Sequence, residues 1–414
     1  MDKRYLKWYL LVGFLALLSS QFYVRPEMRG LVSWDYWQNL LRYGQIMRLA
    51  ESRYVDPTEF DYEQFTNLAL DGALRQLDVH SSYYTLEDFE RFNNDANQTY
   101  VGVGIEVASF EQKTVISDVF AEGSAGNAGI RVGDRIVGVD GLDLIDSSIG
   151  EILDLIRGET GSEVSIEVER IGNEDRLNFK MLRKEITLQS VSDVSMLTDT
   201  IGFVRVRQFT DDTDTELADA LKGLAKRGME GLIIDLRGNP GGRLETATRM
   251  ASLFLDYDQI ILKVQSRDGI EEVIRVESEK AVFEVPVVIL LNRQSASASE
   301  ILAGALQDHG RAVLVGEKSY GKGSVQSVFG FNDGGGMKLT IARYLLPKGA
   351  VVNGIGVSPD YEVDVPEEDR ARSLLQQHLD LEINEAEFLS FFGFAPSGDR
   401  VLEKALEVIL ENTR

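Results

Sequence analysis

From Glu185 onward, short apolar runs end in glycine- or serine-bearing turns and pass directly into amphipathic helices, and few folds accommodate that alternation. Ile201–Val206 reads as a strand, and Leu217, Ala220, Leu221 and Leu224 then line one face of a helix that stops at Gly228, a residue suited to a left-handed cap. Leu232–Leu236 reads as a buried strand, followed by the turn RGNPGG and a helix over Leu244–Phe254. Val285–Leu291 is a further buried strand, with a helix over Ala298–Asp308 behind it. Each strand must bury its side chains against the neighbouring helices, so this part of the chain is expected to form an α/β layered domain over residues 185–365.

The preceding segments differ in character. Residues 99–184, opening with YVGVGIEV, carry short strands separated by turn signals and one helix, Ile149–Ile156. Residues 27–98 read as helical, with one helix from Trp34 to about Asp56 and another around Tyr62–Leu77. LDVHSSYYTLEDFERF then reads as a turn and a further short helix. Residues 366–414 are helical again, and the last helix, starting near Asp399, shows a stripe of Val401, Leu402, Ala405, Leu406 and Ile409. That stripe could pack on its own domain or against a second subunit.

At the N-terminus, Lys3, Arg4 and Lys7 precede the apolar stretch Trp8–Val24. Basic residues before an apolar segment mark the end retained in the cytoplasm. Its seventeen residues reach about 25 Å as a helix, slightly short of a bilayer core. Leu18-Ser19-Ser20 is a poor cleavage site, so residues 1–26 are expected to be an uncleaved signal anchor. Cleavage would instead release an exported, soluble protein.

Composition removes several chemistries. The chain has 67 acidic against 43 basic residues, a formal charge of −24, which opposes a broad nucleic-acid surface. It has no cysteine, so disulfides, thiolate metal sites and a cysteine nucleophile are excluded. Its three histidines, His80, His309 and His378, are scattered, and no metal or other cofactor is expected.

GEKSYGKGSVQ, after the apolar run Ala312–Val315, invites three readings of Lys322. A phosphate-binding loop would place Ser or Thr directly after the lysine and open a helix. Here Gly323 intervenes, and SVQSVFGF has the alternation of a strand. An S-x-x-K nucleophile, Ser319 with Lys322, would need a helical turn and companion motifs that are absent. The third reading makes Lys322 the general base for a serine elsewhere. VPVVILLNRQSASASEILAGALQDHG supplies one at a strand–turn–helix junction, where the first helical amides lack partners and can hold a developing oxyanion. His309 would lie about 18 Å along the helix from Ser297. A lysine kept neutral by burial can replace histidine as the base. SASAS alone does not separate Ser297 from Ser295 or Ser299.

SASASEILAGALQD followed by GEKSYGKGSVQ resembles the signature of the carboxy-terminal processing peptidases, or tail-specific proteases, and the likeness extends over nearly all of residues 55–365. The resemblance implies an α/β protease core of the crotonase and Clp type with an inserted β-rich PDZ domain and helical N- and C-terminal segments. It implies Ser297 as nucleophile, Lys322 as base and Gln326 as the residue that positions Lys322. DLRGNPGG is similar to the family's glycine loop, implying that a backbone amide near Gly241 joins that of Ala298 in an oxyanion hole. LDVHS resembles the family's LDPHS with Val79 in place of proline, and GIGVSPDYEV resembles the block closing the core. AGIRVGDRIVGVDG resembles the second half of a PDZ domain. Its carboxylate-binding loop would comprise Val101, Gly102, Val103, Gly104 and Ile105, with a peptide adding beside Ile105–Val107. Expected partners are protein substrates with apolar C-terminal tails, the membrane through the N-terminal anchor, an adaptor protein, and a second subunit through the C-terminal helix. The resemblance places the catalytic domain in a bacterial periplasm, tethered to the inner membrane.

Overall fold

Ile201–Val206, Gly231–Asp235, Val287–Leu291 and Ala312–Gly316 lie side by side as parallel neighbours in one sheet. Val191–Met196 extends it antiparallel at one edge, and Tyr361–Glu362 lies parallel at the other. The computed structural model describes residues 33–95, 100–110, 113–120, 123–145, 147–186, 189–277, 281–366, 385–393 and 398–413. They divide into two units, the first made of the described residues up to Phe89 with Phe329–Lys338, the second of those in Glu90–Val328 and from Leu339 onward.

In the second unit the first three parallel strands are buried along their whole length. One face of the sheet meets the helices Thr213–Lys226, Leu244–Ala251 and Ala298–Asp308 through Leu217, Leu221, Met250, Ile301 and Leu302. The other face is covered by the helix Arg400–Asn412, whose Val401, Ala405, Val408 and Ile409 pack on Ile201, Phe203, Ile233, Val288 and Leu290. The apolar stripe near the C-terminus is therefore used by the chain's own sheet. The helix expected over Leu244–Phe254 ends at Ala251, and Phe254 turns into the core beyond it.

Residues 100–186 form a separate antiparallel sheet within the same unit, in the order Ile105–Phe110, Lys113–Val119, Arg135–Val139, Glu163–Glu169, Leu177–Leu182. Ile105–Phe110 is the edge strand of that path and contacts the helix Ile149–Ile156. That helix opens on a capping box between Ser148 and Glu151. Tyr100–Gly102 pairs with Lys184–Ile186, bringing the entry and exit of this segment together. A helix of the tail, Glu385–Phe392, lays Phe388 and Phe392 on Val115, Ala108, Val132 and Ile171.

The first unit holds the helices Trp34–Arg53 and Tyr62–Arg75, each opened by a side-chain cap, from Ser33 and Asp61. The Asp78 carboxylate accepts the amides of His80 and Ser81 and the Ser81 hydroxyl, and Val79 projects outward at 81% exposure. Ser82–Tyr84, read from sequence as part of a turn, pairs with Gly336–Lys338 as a short strand. The signal anchor expected over residues 1–26 lies outside the described residues. Among those described, no helix is long and apolar enough to cross a membrane.

Candidate active site

Register sets the site. Asp235 is paired with Leu290, and Leu290 with Val315, so three adjacent parallel strands end level with one another. The turns that follow them carry RGNPGG, NRQSASAS and EKSYGKG. The mouth formed at the carboxyl ends of such strands is where α/β sheets place their ligands.

The three serines of SASAS have separate fates. Ser295 is fully buried; its Oγ donates to the Leu236 carbonyl over 2.8 Å and accepts the Asn292 amide over 3.0 Å. Ser299 is fully buried as well, donating to the Asn239 carbonyl over 3.1 Å. Ser297 is partly exposed at the N-cap of the helix Ala298–Asp308, with φ 55° and ψ −113°. A serine in that region of backbone space costs on the order of 1–3 kcal/mol and persists only where its surroundings impose it. Ala298, the first helical residue, has no preceding turn to receive its amide.

Gly241 lies against this serine. A β-carbon added there would sit 2.8 Å from Ser297 Cβ and 3.0 Å from the Ala298 nitrogen, and its φ of 100° suits glycine. The Gly241 amide, expected as an oxyanion donor, is directed to Asn239 Oδ1 over 2.9 Å in this arrangement. Asn239 is itself fully buried and donates to the Val206 carbonyl over 2.7 Å.

Glu300, absent from the residues picked out by sequence, joins the turns. It is fully buried one helical turn past Ser297. Its Oε2 accepts the amides of Ser297 and Lys322, each over 2.8 Å. Its Oε1 accepts the Gly321 amide over 2.7 Å and the Ser319 hydroxyl over 2.5 Å. Four donors compensate the burial of this carboxyl. Two nitrogens bonded to one oxygen can be no further apart than twice that bond, so the backbones of Ser297 and Lys322 are neighbours. Ser319 also accepts the Val357 amide over 2.6 Å, which makes the serine of the S-x-x-K string a buried link to the GIGVSPD segment.

Lys322 is partly buried between Gly321 and Gly323. A β-carbon at Gly323 would fall 2.4 Å from the Asn353 nitrogen, so only glycine lets these backbones approach. Gln326 donates to Ser324 Oγ over 2.8 Å and Thr340 Oγ1 over 3.3 Å. His309 is held by the Ile260 carbonyl at 2.7 Å, at the far end of the helix.

In the antiparallel module, Val101 and Gly102 sit in the ladder with Glu185 and Lys184. The carbonyls of Val103 and Gly104 accept the amides of Ala125 and Phe120. Ile105 is paired with Val119 on the edge strand. Arg207, just beyond the core strand Ile201–Val206, pairs with Glu106 at 3.4 Å and with Asp118, linking the module to the core.

Comparison with known proteins agrees with this architecture. Peptidase family S41 matches residues 200–363, and a PDZ domain matches residues 115–170. The chain is 33% identical over 336 residues to a carboxy-terminal-processing protease of Bartonella bacilliformis, covering 80% of this chain and 76% of that protein. It is 33% identical over 318 residues to the carboxy-terminal processing protease CtpA of Bacillus subtilis, covering 77% of this chain and 67% of that protein. Among solved structures, the photosystem II D1 C-terminal processing protease superposes with a TM-score of 0.50 at 28% identity, covering 78% of this chain and 92% of that one. The chain belongs to the S41 carboxy-terminal processing proteases. It is a serine-type hydrolase with a PDZ domain.

Proposed function

We propose that Ser297 attacks the scissile carbonyl of a protein substrate while neutral Lys322 takes its proton. The amide of Ala298 and one from the Gly241 loop stabilise the oxyanion, for which the Gly241 amide would exchange Asn239 for the substrate oxygen. Lys322 then protonates the leaving amine, and water hydrolyses the acyl-enzyme. Gln326 orients Lys322. The observation that carries this reading is the shared acceptor: one oxygen of Glu300 bonds the amides of both Ser297 and Lys322.

An apolar C-terminal tail would add as a strand beside Ile105–Val107, its carboxylate received by amides of Val101–Ile105. The position of Ile105–Phe110 at the end of its sheet among the described residues, beside the helix Ile149–Ile156, supports this. The basic flank and apolar run at Lys3–Val24 support export and tethering at a bacterial inner membrane, with the catalytic units in the periplasm. The test is incubation of the protein and its Ser297→Ala variant with a substrate ending in an apolar tail. Cleavage by the first alone is expected, whereas binding without cleavage by both would mark a tail-binding scaffold.

A further inference from the structure

The last helix does more than cover the sheet. Its N-cap residue, Asp399, accepts the Leu402 amide over 3.0 Å through Oδ1. The same carboxylate grips Arg237, with Nη1 to Oδ1 and Nη2 to Oδ2 both at 2.9 Å. Arg237 immediately precedes Gly238 in the turn that carries Gly241 past Ser297. Its side chain is only 7% exposed, and its remaining contacts go to the fully buried Asp235, from Nε to Oδ1 at 2.9 Å and from Nη2 to Oδ2 at 2.8 Å. Asp235 is shared, because Arg205 approaches its Oδ2 at 3.1 Å. A buried guanidinium needs paired acceptors on its donors, and Asp399 supplies the second pair.

We propose that Asp399 is a positioning residue for catalysis: through Arg237 it fixes the base of the Gly238–Gly241 turn, so the tail helix is part of the scaffold of the oxyanion site. Asp399 takes the Nη1–Nη2 end of the guanidinium and Asp235 its Nε–Nη2 edge, and the guanidinium fixes the residue from which the turn departs. Without it, Arg237 keeps one anchor and the turn gains freedom next to Ser297. Loss of geometry at an oxyanion donor lowers the rate of the chemical step more than substrate binding. This inference rests on the proposed role of the Gly241 turn.

Asp399→Asn separates this role from simple helix capping, since asparagine caps a helix as well as aspartate but carries no charge for Arg237. In the full chain, kcat on an apolar-tailed peptide is expected to fall on the order of tenfold with KM little changed. Amide hydrogen exchange at Gly238–Gly241 should quicken, while the helix Arg400–Asn412 stays protected. Asp399→Glu, which retains the charge, should recover most of kcat. Wild-type kcat and unchanged exchange in Asp399→Asn would overturn the proposal, as would equal losses in the asparagine and glutamate variants. The wild type and Ser297→Ala are assayed alongside: if neither differs from the other, the protease reading fails. The exchange measurement still decides whether Asp399 holds the turn.

Discussion

The backbone amides of Ser297 and Lys322 donate, each over 2.8 Å, to the same oxygen of Glu300. The proposed nucleophile and base sit on different turns, after different strands, and a single buried carboxylate ties them together. Replacing it by glutamine turns one acceptor oxygen into a donor that faces donors. Glu300→Gln is expected to lower kcat about a hundredfold, equivalent to roughly 2.7 kcal/mol of barrier. Glu300→Asp, too short to reach both turns, should not restore it. Steady-state kinetics on a tailed peptide, with melting followed in parallel, checks both.

The serines of SASAS should divide by function. Ser297→Ala is expected to abolish hydrolysis with the fold intact. Ser295→Ala strands the Asn292 amide, leaves the Leu236 carbonyl with the Asn239 amide at 3.2 Å, and should cost about 1–3 kcal/mol of stability while leaving kcat within a few-fold. Ser299→Ala should cost less, because the Asn239 carbonyl also accepts the Ala296 amide over 3.0 Å. Denaturant titration and peptide hydrolysis on the three variants separate these outcomes.

Activity should depend on pH through the lysine. A base that works as a free amine loses activity as it is protonated, so kcat/KM should fall steadily toward acid. Lys322→Arg, which cannot deprotonate, should be inactive throughout. A rate profile level down to about pH 5 would remove Lys322 from the role of base.

Acid stability should report on Asp235. Burial by itself would raise this carboxyl, but Arg237 and Arg205 outweigh it and lower its pKa from 3.8 to about 2. A carboxyl with a lowered pKa stabilises the fold fully above its ordinary value and loses that contribution as pH falls through the folded one. The melting temperature should therefore drop between pH 3.8 and about 2 on this account. Asp235→Asn, which leaves two arginines short of a carboxylate, should cost about 3–5 kcal/mol at neutral pH and flatten that acid decline. Melts from neutral to acid pH on both proteins provide the comparison.

What could be read from sequence was local. The apolar runs at Leu232–Leu236 and Val285–Leu291 announce themselves by their apolar composition and the turns that bound them, and the bounds read for the helix Ala298–Asp308 coincide with those observed. Glu300 was within reach, since Ser-Ala-Ser-Glu has the spacing of a capping box. Its partners on the Lys322 turn were not, because the register of the parallel strands, rather than proximity in sequence, brings that turn alongside. Asp399 was legible only as a helix start, for its partner Arg237 lies 162 residues earlier. Ser82–Tyr84 was missed for the same reason: three residues carry too little pattern to declare a strand whose partner, Gly336–Lys338, is remote.

With Ser297 as the proposed nucleophile, its left-handed backbone sets catalysis against folding at one position. Glycine would relax there, so the most robust version of this molecule is an inert one. Selection for durability alone would therefore drift toward a dead enzyme that keeps its PDZ domain. Persistence of serine at this position would mark a lineage in which cutting still matters.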